Sequence, residues 1–256
     1  MKIFLITDIH HGGNTNYPRV GGELYINSFG NALEANIQKL RPVMDSCDLV
    51  INLWDLIYNE SPDKDTQYYT DAMQLLASKA TMRHVLGNHD VWHIDRTDLL
   101  NINHEPGSYY DFDFRWYHHI VLDGNRIEHT DPYLIREDQK KWLTKSLNET
   151  KFPTLIYLHH PIDDQSMENN YYFKNRPQSS CVSNRGEVRS ILEKSEKVVA
   201  VFNGHTHFFS AQEVNGIRYI TVPSFAENNG EHKPNLQFAI ATVSWNRIEF
   251  DIQRIV

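Results

Sequence analysis

Short apolar runs alternate along the chain with longer stretches whose apolar residues recur every three or four positions. Residues 2–7 are almost wholly apolar, too short for a helix, and predict a buried strand ending at Asp8. Residues 23–45 place Leu24, Phe29, Leu33, Ile37 and Leu40 at helical spacing, with Pro42 near the end, and predict a helix. Asp48 to Leu53 predicts a second strand ending near Asp55. Residues 67–80 predict a helix, and Arg83–Leu86 a third strand. Tyr109–Phe114 and Tyr117–Leu122 predict a pair of strands. Glu137–Leu147 predicts a helix with Trp142 on its apolar face. Thr154–Leu158 and Val198–Phe202 predict strands flanking a helix over Gly186–Leu192. The C-terminal part then turns strand-rich, with runs at Ser210–Val214, Ile217–Val222, Leu236–Val243 and Arg247–Ile252.

Strands and helices that alternate before a strand-rich end predict an α/β (α+β layered) domain. The polar clusters share one position: each falls just after a predicted strand. Binding sites in such folds gather beyond the carboxyl ends of strands, so separate segments deliver side chains to one edge.

Composition narrows the picture. Apolar residues make up 40 % of the 256 and aromatics 12 %, enough for a sizeable core in one domain spanning 1–256. The net charge of −8 disfavours non-specific binding to nucleic acid, which rests on neutralising phosphates with Lys and Arg. It equally disfavours an anionic membrane surface. No apolar run approaches a membrane span or a signal peptide. The two cysteines, Cys47 and Cys181, stand far apart in no recognisable redox or nucleophile setting. A soluble protein with reduced thiols, in the cytoplasm, is the expectation.

Five segments carry the candidate chemistry: Asp8-Ile9-His10, Trp54-Asp55, Gly87-Asn88-His89-Asp90, His159-His160-Pro161 and Gly204-His205-Thr206-His207. Each alone is a weak signal. Together, each at a strand end, they are not a chance set. Imidazole and carboxylate donors suit zinc, manganese or iron. Residues two apart on extended backbone point the same way, so Asp8 with His10, and His205 with His207, can each offer two ligands to one cluster. A carboxylate can bridge two cations, and an asparagine oxygen adds a donor without adding charge.

These residues, in this order, resemble the calcineurin-like metallophosphoesterase superfamily, and most closely its bacterial cyclic-nucleotide and glycerophosphodiester phosphodiesterase branch. The shared motifs span residues 8–207. The resemblance implies a four-layer αββα sandwich with a binuclear metal centre at the strand ends. It implies that Asp8, His10 and His207 bind one metal, that Asn88, His159 and His205 bind the other, and that Asp55 bridges both. His159 is chosen over His160 because the family's ligand lies two residues before the proline. The cofactors would be two transition metal ions, manganese, iron or zinc. The activity implied is hydrolysis of a phosphodiester in a small phosphorylated substrate, by attack of a metal-bridging hydroxide. A phosphomonoesterase or nucleotide pyrophosphatase on the same site, and a non-catalytic interaction scaffold, are the alternatives.

Two departures from the family pattern stand out. Trp54 occupies the place of a glycine before the bridging aspartate. Tyr58 lies where one branch has an iron-ligating tyrosine, but His10 fills that coordination position here, so Tyr58 is read as packing near the metals. His89 is the candidate to contact the phosphoryl group or protonate the leaving oxygen. Asp90 would either orient His89 or cap the segment that follows. His84, His118 and His119 lie in strands and are read as structural.

Substrate recognition is expected from the segments between motifs. Residues 162–184 read as an insertion that forms part of the pocket, carrying Tyr171, Tyr172, Phe173 and Arg176, with Arg185 just beyond. The aromatics could stack on a base and the arginines could hold a second phosphate. His11 is expected to reach the pocket from the loop at 11–22, and Asn228 and Asn229 to line it.

Overall fold

The structure, a computed structural model, describes residues 1–256 except 13–15, 19–23, 27–28, 129–130, 227–232 and 246, and leaves the side chains of 16–18 and 24–26 undescribed. The first half of the chain runs β1 (Lys2–Ile6), β2 (Asn16–Pro18), β3 (Leu24–Ile26), α1 (Ala32–Asp45), β4 (Leu49–Asn52), α2 (Pro62–Leu76), β5 (Thr81–His84) and α3 (Arg96–Asn103). Next come β6 (Tyr110–Phe114), β7 (Tyr117–Val121), α4 (Glu137–Glu149), β8 (Thr154–Tyr157), α5 (Arg185–Ser195) and β9 (Val198–Asn203). The chain ends in β10 (Ser210–Val214), β11 (Ile217–Thr221), β12 (Gln237–Ser244) and β13 (Arg247–Arg254).

Two sheets form. The first has the order β13-β12-β1-β4-β5, and the second the order β10-β11-β9-β8-β7-β6. In the first sheet β1, β4 and β5 are parallel and β12 and β13 add antiparallel pairings at one edge; in the second β11, β9, β8 and β7 are parallel between antiparallel edge strands β10 and β6. Strand alternation explains the layering, because successive side chains point to opposite faces and both faces here are apolar. On β1, Ile3 and Leu5 face the second sheet, where they join Tyr157 and Phe202. Phe4 and Ile6 point the other way, onto Leu33, Ile37 and Leu40 of α1 and Tyr69, Ala72 and Leu76 of α2. In the second sheet Ile156 and Val201 turn outward to Leu143 and Leu147 of α4 and Val188 and Leu192 of α5. The result is the expected helix–sheet–sheet–helix order.

Several element limits differ from expectation for local reasons. The helix expected over 23–45 begins only at Ala32, and Leu24–Ile26 pairs with Asn16–Pro18 as a small hairpin. Pro42 sits inside α1, where its missing N–H would have served the carbonyl of Gln38. Both residues lie on the exposed face, so water takes that carbonyl. Helix α2 starts at Pro62, five residues earlier than expected, because proline suits the first helical position, whose N–H is unused. Helix α3 escaped notice because its eight residues bury only Leu99 and Asn103, too few to show a period. Among the described residues no helix is long and apolar enough to cross a membrane.

The strand histidines are structural, as expected. His118 sits between Asp113, 2.7 Å from Nδ1, and the Ser146 hydroxyl, 2.8 Å from Nε2, and so ties β7 to α4. Ser146 donates its own proton to Asp111 at 2.5 Å. Nε2 of His118 must therefore be the donor to Ser146, which rules out activation of that serine as a nucleophile.

Candidate metal centre

The metal-ligand candidates sit where strands end and the backbone turns sharply. Asp8, His10, Trp54, Asp55, His205 and His207 all have positive φ, between 47° and 72°. Left-handed backbone at non-glycine residues is costly and clusters at functional sites. Two glycines permit the close approach of these loops. A Cβ on Gly87 would lie 2.2 Å from an Asp55 carboxylate oxygen, and one on Gly204 would lie 2.0 Å from the Thr7 hydroxyl.

The carboxylates are each pinned by one oxygen. Asp8 Oδ2 accepts from the Thr7 hydroxyl at 2.7 Å and from the His205 N–H at 3.0 Å. That leaves Oδ1 facing Nε2 of His207 at 3.2 Å and of His10 at 3.9 Å. Asp55 Oδ1 accepts from the His89 N–H at 2.9 Å, and Oδ2 faces Nε2 of His159 at 3.1 Å and of His89 at 3.9 Å. The imidazoles are held similarly. His159 donates from Nδ1 to the Leu53 carbonyl at 2.9 Å, which points Nε2 inward. His205 donates from Nε2 to the Ser179 carbonyl at 2.9 Å, which frees Nδ1.

Ligand atoms converge in four overlapping groups: Asp8, His10 and His207; Asp8, Asp55 and His159; His10, Asp55 and His89; and His159, His160 and His205. Within each group they lie inside 4.8 Å of one another. Six of the seven expected ligands are thus brought together, and the seventh, Asn88, precedes His89, whose N–H bonds Asp55. Asn88 Oδ1 is buried with no hydrogen-bond partner. Nε2 of His10 and His207 stand 3.4 Å apart, and only one of two neutral rings can donate in such a pair. Crowded lone pairs, an orphaned amide oxygen and two half-pinned carboxylates are a donor set that fits cations.

Electrostatics agree. Burial alone would raise Asp55, but His159, His89 and His10 around it hold its carboxyl well below the usual range. Burial also pushes Asp8 up, and His207 and His159 outweigh it, so the carboxyl is lowered. Burial pushes His205 down to about 3, with the charge of His159 acting in the same direction. Burial likewise depresses His159, yet Asp55 and Asp8 overcome it and hold the ring at about 9. A cation entering beside His159 therefore displaces a proton.

The other candidates divide. His160 does belong to the inner histidine group, but its ring lies face-near Tyr133 at 3.8 Å and burial drives it well below its ordinary value. Tyr58 packs on the rings of His10 at 5.8 Å and His89 at 5.4 Å. Asp90 takes a role other than the two expected for it. Its Oδ1 accepts from the Leu56 and Ile57 N–H groups and its Oδ2 from Gly87, so it ties the Asp55 loop to the Asn88 loop. Burial, then the charge of Asp55, raises it well above the usual range.

The expected substrate contacts fare less well. His11 turns away from the cluster. Its ring meets Tyr68 of α2 edge-on at 6.3 Å, and the charges it feels are Asp71 and Glu34. Arg185 is held by Asp164 at 2.7 Å, and the same carboxylate takes Arg189 at 2.7 Å. Arg176 is exposed, its Nε donates to the Tyr172 carbonyl, and its guanidinium lies over Phe173. The insertion does reach the site: Phe173 packs 4.9 Å from His205 and Tyr172 4.5 Å from His207. Asn228 and Asn229 lie outside the described residues.

Sequence reasoning missed Thr7 and Asn125. Asn125 donates from Nδ2 to the Leu86 carbonyl at 2.7 Å and so anchors the Gly87–Asp90 loop from the second sheet. A hydroxyl directly before Asp8 was the available signal for Thr7. Nothing local marks Asn125.

A family model for calcineurin-like phosphoesterases matches residues 1–209. The chain belongs to this family. It is a phosphoric ester hydrolase. Among its relatives is the 3′,5′-cyclic adenosine monophosphate phosphodiesterase CpdA of Escherichia coli K12, 22 % identical over 258 residues, covering 97 % of this chain and 85 % of that protein. A probable cyclic nucleotide phosphodiesterase of Fibrobacter succinogenes is 28 % identical over 171 residues, covering 64 % and 59 %. The fold is similar to a dimetal phosphatase from Danio rerio, with a TM-score of 0.78 at 18 % identity, covering 98 % of this chain and 95 % of that one.

Proposed function

We propose that this member of the family hydrolyses phosphodiesters in small phosphorylated molecules, with two cations held by Asp8, His10, Asp55, Asn88, His159, His205 and His207. The observation that carries the reading is the position of Asp55. Its carboxylate belongs both to the group with Asp8 and His159 and to the group with His10 and His89, so one side chain joins the two halves of the cluster. Manganese, iron and zinc all suit the donor set. When bound, the pair would acidify a water and neutralise charge on the phosphoryl oxygens. The phosphodiesterase activities for which the bacterial relatives are named support the diester over the monoester.

The chain's own residues supply the rest. His89 has its backbone fixed on Asp55 and its ring at the edge of the cluster, 27 % exposed, where it can meet a leaving oxygen. Its proton transfer to that oxygen contributes on the order of 10²–10⁴-fold. The carbonyls of Leu53 and Ser179 fix the tautomers of His159 and His205. The insertion at 162–184 walls the site through Tyr172 and Phe173. The two free cysteines, both buried, suit a reducing, cytoplasmic setting.

Side-by-side assay of bis-nitrophenyl phosphate and nitrophenyl phosphate tests the diester, on protein whose metal content has been measured. The expected result is close to two transition metals per chain and faster turnover of the diester. Protein that cannot bind manganese or zinc overturns the metal assignment, and preference for the monoester overturns the diester.

A further inference from the structure

The insertion at 162–184 sends a buried asparagine to the loop that carries two candidate metal ligands. Asn170 is 5 % exposed. Its Nδ2 donates to the Thr206 carbonyl at 2.8 Å, and its Oδ1 accepts from the Tyr172 and Phe173 N–H groups at 2.9 and 3.1 Å. Two N–H donors select the oxygen and a carbonyl selects the nitrogen, so one orientation of the amide satisfies all three bonds. We infer that Asn170 is a positioning residue for the metal centre, setting His205 and His207 together through the Thr206 carbonyl and through the two rings that it orders. The inference rests on the metal assignment above, in which these two histidines serve different cations.

The Gly204–His207 loop needs support from outside itself. His205 and His207 have φ of 67° and 65°, and the Thr206 N–H closes back onto the Gly204 carbonyl at 2.7 Å. A three-residue turn with a positive central φ is the rare, strained kind, and such backbone persists where its surroundings hold it. The two ends of the loop are held by other segments. The His205 N–H goes to Asp8 at 3.0 Å, and the His207 carbonyl takes the Ser224 N–H at 3.1 Å. Between them, the Thr206 hydroxyl is buried with no hydrogen-bond partner and anchors nothing. The Thr206 carbonyl lies in the peptide plane from which His207 springs. Asn170 is the side chain that holds it.

Packing is the second route. The residues whose N–H groups Asn170 takes are the ones whose rings meet the two histidines. Tyr172 lies 4.5 Å from His207, and Phe173 lies 4.9 Å from His205. Further along, the same insertion delivers the Ser179 carbonyl that takes Nε2 of His205. The insertion therefore restrains His205 at its ring and at its outer nitrogen, and His207 at its ring and at its backbone. A ligand whose direction is fixed before the cation arrives loses less freedom on binding. Supports of this kind typically carry about 10–100-fold of metal affinity.

The test uses the full chain stripped of metal, titrated with zinc against a chelating indicator, in wild type, Asn170→Ser and Lys174→Ala. Serine keeps a small acceptor for the Tyr172 N–H but is too short to reach Thr206. Lys174 is an exposed side chain of the same insertion and serves as the control. Both zinc ions should bind about tenfold more weakly in Asn170→Ser, and Lys174→Ala should match wild type. Urea unfolding of the metal-free proteins separates this from a role in the fold alone. Affinity within about threefold of wild type for either zinc in folded Asn170→Ser overturns the inference, whatever the change in urea midpoint. If Asn170→Ser does not fold, Tyr172→Ala decides, since it keeps the N–H that Asn170 takes and removes only the ring on His207. One zinc of the two should then weaken while the other holds, and two zinc ions bound as in wild type overturn the inference. Wild type that binds no zinc overturns the metal assignment itself, before any variant is compared, and the inference falls with it.

Discussion

Replacing Trp54 by glycine should damage the protein less than replacing it by alanine, the reverse of the usual order. Trp54 is fully buried, with its ring 5.1 Å from Tyr69 and 5.1 Å from His84, both beneath the Asp55 loop. It also has φ of 72°, the left-handed conformation that glycine accepts freely. Emptying a buried tryptophan costs about 3–5 kcal/mol in lost burial and cavity. Both substitutions incur that cost. They differ in the backbone: alanine keeps the left-handed strain of about 1–2 kcal/mol, and glycine relieves it. Glycine's greater chain entropy in the unfolded state returns about 0.5–1 kcal/mol. The balance favours glycine by up to about 1.5 kcal/mol, and against an ordinary site, where alanine wins by about 0.5–1 kcal/mol, the swing is about 1–2 kcal/mol.

Urea unfolding of Trp54→Gly and Trp54→Ala at matched metal content measures this difference as a shift in midpoint at constant slope. Alanine more stable than glycine by 0.5 kcal/mol or more would refute the reasoning, since backbone strain would then not be what the indole offsets. The Trp54 carbonyl takes the Asp8 N–H at 2.7 Å and the Thr7 hydroxyl at 3.1 Å, bonds that either variant retains. Both should therefore still load metal when folded. The family's glycine at this place satisfies the turn by backbone alone, and this chain satisfies it with burial.

Two further outcomes follow from the geometry. His89→Ala should leave metal content intact, because the N–H that bonds Asp55 survives, while kcat falls by about 10²–10⁴; loss of metal on elemental analysis would make His89 a ligand instead. Glu105 accepts from the His84 N–H, and burial raises its carboxyl to about 7, against the opposing pull of Arg83. A carboxyl raised on folding binds its proton more tightly in the native state, so its contribution is full below about 4.5 and is lost as pH rises through about 7. The ceiling is about 3 kcal/mol, cut to about 1–2 by partial solvent access. Glu105→Gln should therefore gain stability over wild type at pH 8 and little at pH 4.5, and equal gains at both would show that the carboxyl is not perturbed.

The convergence of the candidate ligands was legible in the sequence and the direction of the expected substrate contacts was not, for one physical reason. A cation dictates donor types, and the turns after strands dictate where short polar motifs can sit, so Asp8, His10, Asn88, His205 and His207 are constrained locally. Side-chain direction past those turns is not. His11 directly follows a candidate ligand, yet its ring meets Tyr68 of α2 and not the cluster. Arg185 and Asp164 are twenty-one residues apart, and no spacing announces their pairing. Asn125 acts through a bond to Leu86 across thirty-nine residues. Sequence periodicity located the layers because burial repeats with the helix or strand period. The small helix α3, with only two buried residues, had no repeat to show.

The cluster's support explains why those local constraints suffice. Asp8 and Asp55 each give one oxygen to backbone or hydroxyl donors, and His159 and His205 each give one nitrogen to a carbonyl. Four of the seven candidate ligands thus have their inward-facing atom chosen by a bond to the scaffold. Asp90 adds a fifth restraint by joining the Asp55 and Asn88 loops through three N–H groups. Each of these bonds satisfies a buried polar group that would otherwise cost about 1–3 kcal/mol. The same bonds that keep the fold from carrying orphaned groups therefore aim the donors. Asn88 Oδ1 and Asp8 Oδ1, both donor atoms of candidate ligands, are left buried without a hydrogen-bond partner.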